Sequence, residues 1–271
     1  GVRRHLPDHA QTGGLMFGWL RRLLARPQPQ ATVPERLWQH VERRLPFLDF
    51  LSAADRQRLR GMAIEFLRDK QFHGAHGFAV TDEIMLGIAL QACLPVLNIG
   101  LQAYRGWVGI VVYPGDFVIP RQVMDEDGVM HEYDDEVLGE AWEGGPVLVS
   151  WFDEDEAPEG VNVVIHEFAH KLDMENGGVD GFPPLPAHMS RKAWSEAFGN
   201  AYERFCEQVD RDEDTVLDPY AAEHPGEFFA VASESFFLDP HGLLETFPEV
   251  YRQLAAYYRL DPAHAGEQTG L

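Results

Sequence analysis

The chain has 271 residues, which suits one large domain or two closely joined ones, and its 45% hydrophobic and 11% aromatic content is typical of a folded protein with a sizeable core. A formal net charge of −22 argues against a nucleic-acid-binding protein, because phosphate recognition depends on Lys and Arg. No stretch approaches the roughly eighteen consecutive apolar residues of a membrane span. Cys93 and Cys206 lie within apolar helical patterns, which favours reduced thiols and a cytoplasmic location over disulfides.

The first 32 residues carry no pattern that we can assign to a fold. Residues 16–24 are too short and too interrupted by charge for a secretory signal, and residues 25–34 form a Pro-rich linker. We therefore expect residues 1–32 to be a flexible or added arm. The folded domain is expected over residues 33–262, with a helical part at 33–100 and a second part at 101–262, followed by a tail at 263–271.

The elements alternate between helical and strand patterns along the domain. Helices are predicted from about Glu35, over 53–70 after Ser52 as N-cap, and over 82–94, and strands over 107–113, 116–119 and 147–151. A largely apolar helix over 161–173, a loop over 177–189, an amphipathic helix around Trp194, a helix after Pro225 and a final helix over 247–259 follow. The predicted fold class is α+β: a mainly helical domain with a small mixed β-sheet preceding the helix at 161–173.

The pentad His166-Glu167-Phe168-Ala169-His170 carries the strongest chemical signal. On a helix, positions 166 and 170 lie one turn apart on the same face, so both imidazoles can reach one metal ion, while Glu167 is rotated to the side. Zinc lowers the pKa of bound water to about 7, and a glutamate placed beside it can act as general base. The pattern predicts zinc-dependent peptide hydrolysis, and the alternative is a pair of core histidines bonded to backbone.

A catalytic zinc ion needs a third protein ligand from another segment. Asp173 lies about 10 Å along the helix from His166, too far for a bond of roughly 2 Å, so we interpret it as an outer group or a solvated residue. Glu227 is the best candidate, because a cation would compensate a carboxylate in the densely apolar helix after Pro225. The competing candidates are Glu223, His224 and Glu234, of which His224 could cap a helix and Glu234 could orient a zinc histidine.

The stretches VVIHEFAHKLDMENG at 163–177 and DPYAAEHPGEFFAVASESFF at 218–237 resemble the Mlc titration factor A family of cytosolic zinc metallopeptidases of the gluzincin type. Weaker similarity lies at 77–100 and 111–119. The chain is also similar to the catalytic domain of anthrax lethal factor. The resemblance covers most of residues 40–260 and implies a zincin-like fold. It does not extend to residues 1–32 or beyond Pro262.

The resemblance implies one Zn²⁺ ion held by His166, His170 and Glu227, with Glu167 as general base and Tyr220 stabilising the oxyanion. An aromatic packing role for Tyr220 is the alternative. It further implies an aminopeptidase or short-peptide hydrolase, a monomer, that binds a glucose-responsive transcription repressor of the Mlc type. A non-catalytic protein that titrates the repressor, and a metallohydrolase acting on another bond, remain as alternatives. The strand at 147–151 could pair with an extended substrate if it is an edge strand, and is otherwise an ordinary internal strand.

Overall fold

The computed structural model describes residues 33–124, 130–152 and 160–265. The predicted arm over residues 1–32 lies outside these residues, as do positions 266–271 of the predicted tail. The predicted α+β class is confirmed, since helices surround a small mixed sheet. One continuous hydrophobic core runs from Val33 to Tyr258 and includes residues of both predicted parts of the domain. The proposed division of the domain at residue 100 stays a prediction.

Three helices form the N-terminal part: α1 (Glu35–Arg43), α2 (Ala53–Asp69) and α3 (Asp82–Cys93). The predicted cap of α2 is confirmed, because the Ser52 hydroxyl accepts the backbone N–H of Asp55 at 3.1 Å. Thr81 caps α3 in the same way through the N–H of Ile84. All residues from Ile84 to Cys93 are buried, so α3 runs through the middle of the domain.

The described residues contain six strands: β1 (Gln71–Gly74) lies between α2 and α3, and β2 (Gly109–Pro114), β3 (Phe117–Met124), β4 (Met130–Val137), β5 (Gly139–Ala141) and β6 (Val147–Trp151) follow α3. Four of them form a sheet in the order β1-β2-β6-β5, in which β5 alone runs antiparallel to its neighbour. Strands β3 and β4 form a separate antiparallel pair.

The hypothesis that residues 147–151 form an edge strand is wrong. Strand β6 pairs with β2 on one side and with β5 on the other, so it is the internal strand of the alternative interpretation. The two edges of the sheet are β1 and β5, and β5, which the sequence pattern did not predict, is the edge beside the cleft. With only three residues, β5 is too short to show the alternation on which strand prediction depends.

The C-terminal part contains α4 (Val163–Asp173), α5 (Arg191–Val209), α6 (Pro225–Leu238), α7 (Pro240–Thr246) and α8 (Pro248–Tyr258). Helix α6 packs against α4 and buries nearly its whole length. Aromatic side chains fill the space between α5, α6 and the start of α8: Trp194, Phe198, Phe205, Phe228, Phe229 and Phe247. None of the helices in the described part of the chain is long and apolar enough to cross a bilayer.

Candidate metal centre

Helix α4 places the two histidines of the pentad side by side. Asn162 starts the helix, and its side-chain oxygen accepts the N–H of Ile165 at 2.9 Å. The residues that follow are mostly apolar and buried, which fixes the helix against the core. His166 and His170 therefore project from one face, and their Nε2 atoms lie 3.1 Å apart.

Helix α6 brings Glu227 to the same point. Pro225 occupies the first turn, and the ring of His224 caps the helix by accepting the N–H of Gly226 at 3.1 Å, so the predicted capping alternative for His224 is confirmed. Oε2 of Glu227 lies 3.0 Å from Nε2 of His166 and 3.1 Å from Nε2 of His170. Glu223, the other competitor outside the helix, is exposed and does not join this group.

The donor set fits a metal ion. Nδ1 of His166 lies 2.7 Å from a Glu234 oxygen, and a proton held there leaves the lone pair of Nε2 free to bind a cation. Two imidazole nitrogens and a carboxylate oxygen lie within 4.8 Å of one another, a donor set that suits a divalent cation. Among the residues that the structure describes, this is the one cluster of His, Cys, Asp or Glu that could hold a metal ion.

A chain of buried hydrogen bonds supports His166 from behind. One oxygen of Glu234 lies 2.7 Å from Nδ1 of His166. The other oxygen accepts the backbone N–H of Asn162 at 2.6 Å. The Asn162 amide donates in turn to the side chain of Gln91 at 2.7 Å. One carboxylate thus connects the ring of His166 to the N-cap residue of its own helix. Glu234 has the orienting position that the sequence analysis weighed for it.

The pKa shifts follow from burial and from these contacts. Burial by itself raises the pKa of Glu227, but hydrogen bonds from His166 and His170 outweigh it and hold the pKa well below its usual value. Burial acts to lower the pKa of His166, yet the two carboxylates beside it raise that pKa well above the ordinary value. Burial dominates at His170 and lowers its pKa. Glu227 is therefore ionised, as a metal ligand must be.

Glu167 does not belong to the ligand group and is buried in the lining of the same cleft. Burial raises the pKa of its carboxyl to about 8, against the lowering effect of the neighbouring His166. Its Oε2 is buried and has no hydrogen-bond partner among the described residues. A carboxyl with a pKa near neutrality is suited to take up and return a proton.

Gly139 on β5 makes room for Glu167. A Cβ atom at this position would lie 2.6 Å from Cγ of Glu167 and would collide with its carboxylate. Gly139 could not be predicted from the sequence, because a single glycine carries no sign of the side chain that will lie against it. Asn162 was not predicted either, although an Asn directly before an apolar helical run is a recognisable N-cap signal.

Tyr220 lies at the mouth of the site. It belongs to a short 3₁₀ turn, Pro219–Ala222, in which the Asp218 carboxylate accepts the Tyr220 backbone N–H at 2.9 Å. Its ring centroid is 6.2 Å from that of His166, and the residue is 46% exposed. This exposure does not fit the alternative of an aromatic packing residue, because a packed ring would be buried.

Asp173 does not join the ligand group, as the helix geometry predicts. It is fully buried, so the alternative of a solvated residue is wrong. Its carboxylate accepts the N–H of Gly181 at 2.7 Å, and the Gly181 carbonyl accepts the indole N–H of Trp194 at 2.9 Å. Asp173 thereby anchors the loop after α4 near the start of α6. Burial raises the pKa of Asp173 to about 7.

A cleft of about 1240 Å³ opens over these side chains. The edge strand β5 borders one side, and Tyr220 and Glu223 border another. Apolar residues complete the wall, among them Phe47, Leu138, Val161, Met174, Val179, Val216 and Val231. A space of this size takes several residues of a peptide and is too large for a small ion alone.

The chain is similar to known proteins over most of its length. A protein of Synechocystis sp., described as uncharacterized protein slr2042, is 37% identical over 89% of this chain and 88% of its own length. Mlc titration factor A of Serratia proteamaculans is 36% identical over 87% of this chain and 90% of its own length. Mlc titration factor A of Pectobacterium atrosepticum is 35% identical over 87% of this chain and 89% of its own length. The family described as glucose-regulated metallo-peptidase M90 matches residues 19–259, so the chain belongs to this metallopeptidase family.

Proposed function

We propose that this protein is a zinc metallopeptidase that hydrolyses peptide bonds at the cleft between β5, α4 and α6. His166, His170 and Glu227 are its ligands for one Zn²⁺ ion, Glu167 is the general base, and Tyr220 stabilises the oxyanion. The observation that carries the proposal is the convergence of the three ligand atoms within 4.8 Å, directly beside a buried glutamate. This arrangement meets the need of a catalytic zinc site for three protein ligands and one open position.

The protein side chains have distinct tasks in this reaction. When bound, zinc polarises the scissile carbonyl and lowers the pKa of water to about 7. Glu167 takes a proton from the attacking water and returns it to the leaving amine. The Tyr220 hydroxyl donates a hydrogen bond to the carbonyl oxygen as that oxygen gains negative charge. Glu234 keeps the ring of His166 in place throughout.

The edge strand supports a peptide as substrate. Of the strands that the structure describes, only β6 pairs with β5, so the outer side of β5 is placed to accept an extended backbone by strand addition. The apolar wall of the cleft favours uncharged side chains next to the scissile bond. We assign the enzyme to the gluzincin type, acting as an aminopeptidase or short-peptide hydrolase.

Replacing the general base tests the proposal. Glu167→Gln should retain one zinc ion per chain and lose peptide hydrolysis, because the amide cannot accept the proton. Metal analysis and a broad peptide-cleavage screen measure the two properties, and Glu245→Gln, an exposed acid on α7, is the matched control. Turnover by Glu167→Gln at the wild-type rate would refute the mechanism.

The names of two relatives support a second role. Proteins called Mlc titration factor A are 35–36% identical to this chain over nearly its whole length. The protein thus also binds a transcription repressor of the Mlc type. A pull-down with wild type and Glu167→Gln separates the two roles: equal capture shows that titration is independent of catalysis, and no capture by either protein refutes the second role.

The remaining assignments concern the setting of the protein. A net charge of −22 opposes direct contact with nucleic acid. Cys93 and Cys206 are free thiols, as expected for the cytoplasm, where thiols stay reduced. The working form is a monomer, which light scattering of the purified protein tests directly.

A further inference from the structure

A buried lysine on the metal-binding helix has no part in the reaction described above. Lys171 lies on α4 immediately after His170 and is 4% exposed. Its Nζ donates hydrogen bonds to the carbonyl of Gly145, at 2.9 Å, and to the carbonyl of Trp142. Because a buried ammonium group is costly unless it is hydrogen-bonded, these two backbone acceptors determine where Lys171 can lie.

Both acceptors belong to the turn that joins the edge strand to the sheet. The carbonyl of Trp142 also accepts the N–H of Gly145 at 3.0 Å, and the N–H of Trp142 donates to Pro146 at 3.2 Å. These bonds close the hairpin of β5 and β6. Lys171 therefore attaches α4 to the end of the hairpin by way of its backbone, independently of the side chains in the turn.

The edge strand is thereby fixed to the metal-binding helix at two points. Glu167 and Lys171 are one turn apart on the same face of α4. The first lies against Gly139 at the beginning of β5, and the second holds Trp142, directly after its end. A three-residue strand that pairs on one side is weak by itself, so these attachments decide its position.

An aromatic ring holds the ammonium group in place. Nζ of Lys171 lies 4.8 Å from the ring centroid of Trp107, and Nζ of Lys70 lies 4.0 Å from the same centroid. Lys70 is anchored by the carbonyls of Tyr104 and Trp107, at 2.6 and 2.7 Å. The indole of Trp107 thus contacts both ammonium groups.

We infer that Lys171 is a positioning residue, which holds the outer edge of β5 at the height where an extended peptide pairs with it. This inference rests on the proposed peptidase function and adds the residue that sets the position of the substrate strand. It predicts a selective defect: long peptides that pair along β5 lose affinity, whereas small substrates that reach only the metal site do not.

Binding without turnover is the first test. A fluorescently labelled decapeptide is titrated into zinc-loaded Glu167→Gln protein with and without Lys171→Met, and anisotropy reports the Kd. We expect Lys171→Met to raise the Kd roughly tenfold or more, as for the loss of hydrogen bonds from a charged group. Lys192→Met, at an exposed position on α5, is the matched control and should leave the Kd unchanged.

A comparison of substrates separates positioning from general damage. In the otherwise wild-type protein, Lys171→Met should raise KM for the decapeptide and change kcat/KM for an aminoacyl 4-nitroanilide by less than about twofold. An unchanged Kd for the decapeptide, or equal losses for the two substrates, would overturn the inference. Failure of the wild-type protein to cleave any peptide counts against the proposed function alone, because the binding test needs no catalysis.

Hydrogen exchange of the wild-type protein provides evidence that does not require a folded variant. The amides of Trp142 and Gly145, which are hydrogen-bonded within the turn, should be protected to a degree similar to those of α4, because the helix holds the hairpin through Lys171. Exchange of the hairpin orders of magnitude faster than that of α4 would show that the attachment does not hold, and would also overturn the inference.

Discussion

The side chain of Glu167 lies against the backbone of Gly139, with no space between them for a single additional carbon atom. The proposed general base is therefore packed against the strand that borders the substrate cleft. Neither Glu167 nor Gly139 belongs to the group of three metal ligands. The fit of Glu167 on β5 can consequently be disturbed without removing a metal ligand.

Gly139→Ala should lower kcat/KM about a hundredfold or more, because the methyl group displaces the carboxylate by roughly 1 Å. Zinc content should stay at the wild-type level. Peptide hydrolysis and metal analysis check the two outcomes. Gly199→Ala is the matched control, since a Cβ at Gly199 on α5 meets no atom within 4 Å. Wild-type activity in Gly139→Ala would contradict the assigned place of Glu167.

Glu234→Gln should weaken zinc binding about 10–100-fold, because the amide no longer offers a carboxylate to both His166 and Asn162. The affinity is measured by competition with a chromogenic chelator. Glu245→Gln removes an exposed carboxylate elsewhere and should bind zinc like the wild type. Equal affinities in the two variants would remove Glu234 from the support of the site.

Tyr220→Phe should lower kcat about 10²–10³-fold and leave KM for the peptide nearly unchanged, because the hydroxyl acts only on the charge that develops in the transition state. Steady-state kinetics separate the two constants. Tyr113→Phe removes a hydroxyl from a tyrosine on β2 that does not line the cleft. A rise in KM alone would indicate that Tyr220 binds the ground state of the substrate instead.

Asp173→Asn should change how stability depends on pH. Burial raises the pKa of Asp173 from 3.8 to about 7 in the folded protein, so the carboxyl ionises in the unfolded chain first as pH rises. The folded state then binds more protons than the unfolded state, so stability falls as the pH rises from about 4 to about 7. Three pKa units correspond to about 4 kcal/mol, an upper estimate.

The asparagine cannot ionise and can still accept the N–H of Gly181, so it escapes this loss. The free energy of unfolding of Asp173→Asn minus that of the wild type should therefore be larger at pH 8 than at pH 5. Urea unfolding of both proteins at the two pH values measures the difference. A constant difference across this range would show that Asp173 does not titrate as assigned.

Local chemistry explains which features were predictable. The spacing of His166 and His170 needs only a helix to become a pair of convergent ligands, and the cap and apolar face of that helix are written in adjacent residues. The choice of Glu227 rested on the cost of burying a carboxylate and on resemblance, since sequence separation says nothing about distance. The packing of α6 on α4 brought the two segments together.

By itself, the amino-acid sequence determined most of the helices, the pentad and the kind of chemistry that its side chains suit, because these depend on periodicity and on side-chain type within one or two turns; the short helix α7 was not predicted. Only the tertiary structure decided that β6 is internal and that β5 forms the edge beside the cleft, that Gly139 faces Glu167, and that Lys171 reaches the turn beyond β5. Strand order and contacts between distant segments arise from the packing of the whole core, in which each position depends on neighbours far away in the chain.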